Sequence, residues 1–282
     1  KIRNKIISRG GDFRFGKKII NLKIKNNKIH IVSTKSINIE TDVVILATGR
    51  HSVKTFKMLK NNNIEMKKKP FQIGTRIEHL QEFIDNALLG KHANNPIISP
   101  VSYHLSSSKS KEIKQVCSFC MCPGGQVIPA TGTEGCLVTN GMSNYKKNSG
   151  FSNSALVVTI FPDELKDDNL AGLEYRENIE RRWFEIGGSN YDAPAQIASD
   201  FLDRKLSKLN NKKSSYPFSL KSTKFDKILP ENISKAFAIS FLEFDKKIEN
   251  FSKNGILIGP ETRASCPVKI PRNENMESES CA

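Results

Sequence analysis

No run of 18 or more apolar residues occurs in the 282-residue chain, which excludes a helix long enough to span a membrane. Cysteine is sparse and unevenly placed: three of the six lie together at Cys117, Cys120 and Cys122, a pattern that does not suit a disulfide framework. The Lys/Arg-rich start leads into no apolar core region, so it is not read as a signal peptide. A reducing cytoplasm is the expected setting. Arginine is scarce beside lysine, and aromatic residues do not interleave with the basic runs. Readers of nucleic acid concentrate both on one face, so the net charge of +15 is read as solvated surface, with no specific nucleic-acid partner and no membrane. The chain is long enough to bury one or two cores without a disulfide or metal staple.

What is present begins with Asp42-Val43-Val44-Ile45-Leu46-Ala47-Thr48-Gly49, an apolar, largely β-branched run that stops on a small-residue turn. Such a run predicts a strand buried on both faces of an α/β sheet. Before it, Lys1–Arg9 predicts the tail of a helix stopped by Gly10-Gly11. Four short segments, Asp12–Phe15, Lys17–Lys25, Lys28–Thr34 and Ser36–Glu40, then predict a β-meander with tight turns such as Asn26-Asn27. A helix, a meander and a buried strand ending Ala-Thr-Gly resemble the middle of the FAD domain of flavoproteins with two dinucleotide folds. There the turn brings backbone close to the cofactor, and a Cβ would hold it away.

Further along, helical spacing covers Val53–Asn61, alternation predicts a strand over Phe71–Glu78, and a helix is expected over Leu80–Leu89 with Gly90 as its stop. Residues 91–112 read as loop. Short strands are expected over Val116–Phe119, Gln126–Pro129, Cys136–Thr139 and Ala155–Ile160. Helices are expected over Glu174–Ile186 and Ala193–Leu206, with a Lys/Ser/Asn linker over Ser207–Pro217. Two helical stretches broken at Pro230 fill Phe225–Lys247, strand character returns over Gly255–Ile270, and the last dozen residues read as a tail.

Six segments share one order and spacing. They are Phe71-Gln72-Ile73-Gly74-Thr75-Arg76-Ile77-Glu78-His79, Phe119-Cys120-Met121-Cys122-Pro123-Gly124-Gly125, Thr139-Asn140-Gly141-Met142-Ser143, Asn153-Ser154-Ala155-Leu156, the run from Gly187 to Gln196, and Glu261-Thr262-Arg263-Ala264-Ser265-Cys266-Pro267-Val268. As an ordered set they resemble the bacterial family of uncharacterised FAD-dependent dehydrogenases, in which a large domain is inserted into a glutathione-reductase-like FAD fold. The sequence departs from that family in three places. It has no Gly-x-Gly-x-x-Gly turn to hold the FAD pyrophosphate at a helix N-terminus, and no Gly-rich flavin segment after Glu-Thr-Arg. Leu80 also stands where the family usually has proline. The chain starts at Lys1 and is expected to be a fragment, similar to the middle and insert of the family.

The resemblance implies FAD contacts at Ala47, Thr48, Gly49 and Arg50 and at Glu261, Thr262 and Arg263, the last facing cofactor phosphate. Candidates for a substrate or flavin pocket are Arg76, Glu78, His79, Cys120, Cys122, Gly124, Gly125, Asn140, Met142, Ser143, Asn153, Asn190 and Tyr191. Alternation puts Arg76 and Glu78 on one strand face, where they would pair with each other or line a cleft, with His79 as a nearby acid or base. The plainer reading of the three is a buried salt bridge. Cys117-x-x-Cys120-x-Cys122 could ligate Zn²⁺ or an iron–sulfur cluster with Cys136, or act as a redox pair. A turn or pocket wall is the reading preferred, and no metal ligand set is assigned. The amides and hydroxyls of Asn140, Ser143, Asn153, Asn190, Tyr191 and Gln196 would orient a substrate or flavin edge, or serve as turn-formers. His51 and His104 read as surface or packing residues and Trp183 as core.

The resulting expectation is an α/β chain. A partial three-layer FAD/NAD(P)-binding domain with a β-meander (1–70, with a return over 252–270) encloses an inserted α+β substrate or cap domain (71–251), followed by a flexible tail (271–282). The expected activity is FAD-dependent oxidoreduction on a small-molecule substrate, with NAD(P)H or another electron donor as a further partner. The alternative is a non-catalytic binding module, or one part of a split flavoprotein that needs a complementary chain.

Overall fold

Phe71–Leu80 is a ten-residue strand buried on both faces. In the computed structural model, which describes residues 1–49, 52–93, 95, 97–110, 112–210 and 212–281, this strand pairs antiparallel along its full length with Phe151–Ile160. On its other side it pairs antiparallel with Ile256–Glu261. The mixed sheet is completed by Cys117–Cys122 beyond Phe151–Ile160, and by Ala193–Ile197 and Leu220–Ser222 beyond Ile256–Glu261. Only the last pair, Ala193–Ile197 with Leu220–Ser222, is parallel. The fold is α/β.

Directly opposed residues share a face. One face of the sheet carries Phe71, Ile73, Ile77, Leu156, Val158 and Ile160 into the main core, against helices Ala171–Gly187 and Glu231–Lys247. The second of these helices places Ile233, Phe237, Phe241 and Phe244 on one stripe at helical spacing. Pro230 stands just before its first turn, and Lys246 and Lys247 lie in the last turn, where cations suit the helix dipole. Trp183 is buried and meets Phe225 edge-on, with centroids 4.9 Å apart, as a core residue should. The opposite face carries Arg76, Glu78, Asn153 and Glu261 beside a smaller apolar cluster that includes Val127, Ala195 and Ile258. The antiparallel hairpin Gly125–Pro129 and Thr139–Ser143 belongs to this second face.

By contacts the chain divides into Lys68–Pro267, which holds this sheet, and a second unit of Lys1–Lys67 with Val268–Ala282. Ile256–Glu261, grouped by the sequence with the first domain, is an interior strand of the six-stranded sheet. The smaller unit contains the expected meander: Ile19–Lys25, Lys28–Thr34 and Asn38–Glu40 pair in succession. Asn26 and Asn27 both adopt positive φ in its first turn, as a two-residue hairpin requires. Helix Val53–Asn61 buries Phe56 and Leu59, and the first helix, Ile2–Ile7, buries nothing.

Several expectations are corrected. Val43–Leu46 forms no strand, and Val43 and Ile45 are 74% and 88% exposed. A strand buried on both faces needs a ladder on each side, and no described strand pairs with this run. Asp12–Phe15 is likewise outside the meander. Ala193–Ile197 is a strand, and only Ala198–Leu202 is helical. Small residues here favour close packing inside the sheet, where Ala193 and Ala195 are fully buried, over their intrinsic helix propensity. The 207–217 linker is not idle either: Ser207 and Tyr216 are buried, and Ser215 reaches the second face of the sheet. Cys136–Thr139 contributes only its last residue to a strand. The final residues form isolated bridges at Arg272, Ser278 and Cys281.

Candidate functional site

Arg76 lies at mid-strand and is fully buried, so its charge must be satisfied by protein groups. Its Nε donates to the Asn153 amide oxygen at 3.0 Å and its Nη2 to the same oxygen at 2.6 Å. Nη2 also donates to the Cys120 carbonyl at 3.0 Å and lies 3.6 Å from the Cys122 sulfur. Nη1 stands 3.5 Å from a Glu261 carboxylate oxygen. Arg76 therefore does not pair with Glu78. The salt bridge it makes is with a residue far along the chain.

The hairpin is shaped around this guanidinium. A Cβ on Gly141 would lie 1.9 Å from Arg76 Nη2 and 2.2 Å from the Asn153 amide oxygen, so only glycine admits both. Gly124 takes positive φ, and its N–H donates to Gln81 Oε1 at 2.8 Å. Ser143 Oγ donates to the Pro123 carbonyl at 2.9 Å, tying the two ends of the hairpin to the Cys-Pro-Gly-Gly turn. Gly125 packs against Ser143 and Cys122. Asn140 turns its oxygen back onto the Gly141 N–H at 2.7 Å, and Met142 is exposed.

Strand Cys117–Cys122 carries a bulge. Phe119 opposes Ala155 while Cys122 opposes Asn153, so three steps on one strand match two on the other. Cys120, in the bulge, has φ 46° and is exposed. Cys122 Sγ donates back to the Cys120 carbonyl at 3.3 Å. None of the six cysteines is in a disulfide. Among the described residues, no group of three or more His, Cys, Asp or Glu could hold a metal ion.

Glu78, two residues on, is buried and accepts from the Ser215 N–H at 3.1 Å and from the Ser215 hydroxyl. Burial pushes its carboxyl above the ordinary range, against the opposing pull of hydrogen bonds from Ser214 and Ser215. The sequence reading missed both serines, which lie in a polar stretch without periodicity.

His79 faces the helical core. Its ring stacks on Phe83 and lies 4.4 Å from the Phe251 ring. Nε2 is 2.9 Å from the Phe251 carbonyl, which fixes it as the protonated nitrogen, and Nδ1 has no hydrogen-bond partner among the described residues. Burial lowers its pKa to about 4, so it is a neutral packing residue. The expected acid–base role is not supported by this setting.

Thr262 and Arg263 serve another buried carboxylate. Glu180 accepts from Thr262 Oγ1 at 2.6 Å, and from Arg263 Nε at 2.9 Å and Nη2 at 2.6 Å. Arg176, one helical turn earlier, stands 3.6 Å from it. Asn190 bonds Asp192 in an exposed turn, and Tyr191, with φ 68°, accepts from the Tyr216 hydroxyl. Gln196 bridges the Lys205 carbonyl and the Phe225 N–H inside the fold. These three are not part of the Arg76 cluster. His104 is exposed.

Ala47, Thr48 and Gly49 are exposed in the smaller unit. Gly49 has φ 73°, and among the described residues nothing occupies the space its Cβ would take. Arg50 and His51 lie outside the described residues. Among the described residues, no helix is long and apolar enough to cross a membrane.

Residues 70–264 match the family model for the FAD-dependent protein, C-terminal domain-like. An uncharacterised protein of Clostridium beijerinckii is 38% identical over 280 residues, covering 98% of this chain and 52% of that protein. The chain spans about half the length of this curated relative. For the FAD that such a family implies, the two groups of expected contacts fit unequally. The open backbone at Gly49 suits close approach of a ligand. Arg263 spends both Nε and Nη2 on Glu180, which does not suit a phosphate ligand.

Proposed function

Because the chain belongs to the family of FAD-dependent proteins with this C-terminal domain, we propose that it is part of an FAD-dependent oxidoreductase acting on a small-molecule substrate. The observation that carries this reading is the agreement between the matched segment, 70–264, and the unit Lys68–Pro267. The matched segment lies within one compact unit with its own buried polar centre at Arg76.

In this reading the smaller unit contributes FAD contacts through the Ala47-Thr48-Gly49 backbone. When bound, the flavin supplies hydride or single-electron chemistry. The larger unit is the cap or substrate domain. Arg76, fixed by Asn153 and Glu261, supplies positive charge beneath the Cys120–Gly125 turn, and Asn153 Nδ2, which has no hydrogen-bond partner among the described residues, is a spare donor beside it. Cys122, Gly125 and Ser143 form the wall of this centre. NAD(P)H or another small electron donor completes the scheme.

A second reading, a flavoprotein piece that holds its cofactor only with a complementary chain, is favoured by the exposure of Val43, Ile45 and Leu46. Visible absorbance of the purified chain, before and after addition of FAD and desalting, separates the two. A retained flavin band near one flavin per chain supports the first reading. A colourless chain that retains no flavin overturns it for this chain alone and favours the second.

A further inference from the structure

We propose that Cys120 and Cys122 form a dithiol site that exchanges with small-molecule disulfides, with Cys122 as the attacking thiol and Cys120 as the resolving one. Four observations carry this. The buried guanidinium of Arg76 lies 3.6 Å from Cys122 Sγ, so a positive group faces that sulfur. The bulge compresses the strand between Phe119 and Cys122 by one residue, and Cys122 Sγ folds back to within 3.3 Å of the Cys120 carbonyl. The sulfur is thereby brought over the residue it would join. Asn153, fully buried and paired in register with Cys122, keeps an unused Nδ2 donor beside the site. Finally, Cys120 is exposed while Cys122 is half-buried under the hairpin, so a slender disulfide can reach the inner sulfur and a folded protein cannot.

The exchange balances as follows. The Cys122 thiolate attacks one sulfur of the disulfide R–S–S–R, forming a mixed disulfide and releasing RS⁻. The Cys120 thiolate then attacks the Cys122 sulfur, releasing the second RS⁻ and leaving a Cys120–Cys122 disulfide. The chain's two thiols are oxidised, the substrate disulfide is reduced to two thiols, and the two cysteine protons pass to solvent or to the leaving thiolates.

The site is testable without flavin, so its outcome is independent of the reading above. The chain is reduced, desalted, treated with oxidised glutathione, quenched by alkylation and mapped by peptide mass spectrometry, with circular dichroism to check folding. The wild-type chain is expected to form a Cys120–Cys122 linkage and to release glutathione. Cys120→Ser should accumulate a glutathione mixed disulfide at Cys122, and Cys122→Ser should react at Cys120 about tenfold more slowly than wild-type Cys122 does. Arg76→Lys, where it remains folded, should slow the reaction at Cys122 and leave Cys117 unchanged. Absence of adduct at Cys122 in the Cys120→Ser chain, or a wild-type linkage between Cys120 and any cysteine other than Cys122, would overturn the proposal.

Discussion

Arg76 and Asn153 are joined across neighbouring strands by two hydrogen bonds to one oxygen, 3.0 Å from Nε and 2.6 Å from Nη2. Among the described residues, Asn153 is the only side chain that receives two of the guanidinium's bonds, and it holds the planar group against Gly141. Asn153→Ala removes an uncharged acceptor from a buried cation, which costs about 1.5–3 kcal/mol by the usual worth of hydrogen bonds to charged groups. Arg76→Met leaves Glu261 buried beside a neutral residue, and a cost of about 3–5 kcal/mol is expected. Urea unfolding followed by circular dichroism measures both. A smaller effect for Arg76→Met than for Asn153→Ala would contradict the account.

Gly141→Ala tests the same centre from the hairpin side. Its new methyl would overlap Arg76 Nη2, and the guanidinium cannot withdraw because Asn153 and the Cys120 carbonyl hold it. A loss of about 1–3 kcal/mol is expected from overpacking. A crystal structure or heteronuclear NMR spectrum of the variant should show changes confined to the hairpin and the Cys120–Cys122 bulge.

The components of this centre were legible in the sequence, and their partners in part. Alternation over Phe71–Glu78 puts Arg76 and Glu78 on one face. Of the residues the motifs single out, Cys120, Cys122 and Asn153 meet Arg76, and Gly124, Gly125 and Ser143 lie in the adjoining turn and hairpin. Glu261 was flagged for a cofactor and lies against Arg76 instead. Ser215 and Glu180 were not legible. Ser215 reaches Glu78 across 137 positions from a polar stretch, and Glu180 is one acidic residue on a helix whose surface is rich in charge. Pairings of that range follow from the fold and leave no local period. The run Val43–Leu46 shows the reverse failure, since a strong local pattern forms a strand only where neighbouring strands supply its ladder.

His79 and Glu78 predict opposite contributions to stability against pH. His79 titrates near 6.5 in the unfolded chain and at about 4 when folded. Between those values the unfolded state binds more protons, so stability falls as pH drops from 6.5 towards 4, by roughly 3 kcal/mol in full at about 1.4 kcal/mol per unit. Glu78 has a folded value raised above its unfolded one. Its contribution is complete below the unfolded value and is lost as pH rises through the folded one. Urea unfolding at pH 7 and pH 5 should show His79→Gln with a shallower acid loss than wild type. Glu78→Gln, which keeps an oxygen acceptor for Ser215, should gain stability relative to wild type on going from pH 4 to pH 8. An unchanged difference across that range would mean that burial does not shift Glu78.

Glu180 offers the sharpest test of whether Arg263 is structural. Its two oxygens take three hydrogen bonds from Thr262 and Arg263, all between 2.6 and 2.9 Å, inside the fold. Removing the cation alone, Arg263→Met, leaves a buried carboxylate with one strong donor and Arg176 at 3.6 Å, for which a loss of about 3–5 kcal/mol is expected. Removing the acid alone, Glu180→Gln, leaves the cation with an uncharged acceptor and should cost less. The double variant should cost less than the sum of the two, because the Glu180–Arg263 contact that each single change removes is lost only once. Additive losses in urea unfolding would mean that the pair is not coupled. A folded Arg263→Met chain with wild-type stability and a lost capacity to retain FAD would assign Arg263 to the cofactor instead.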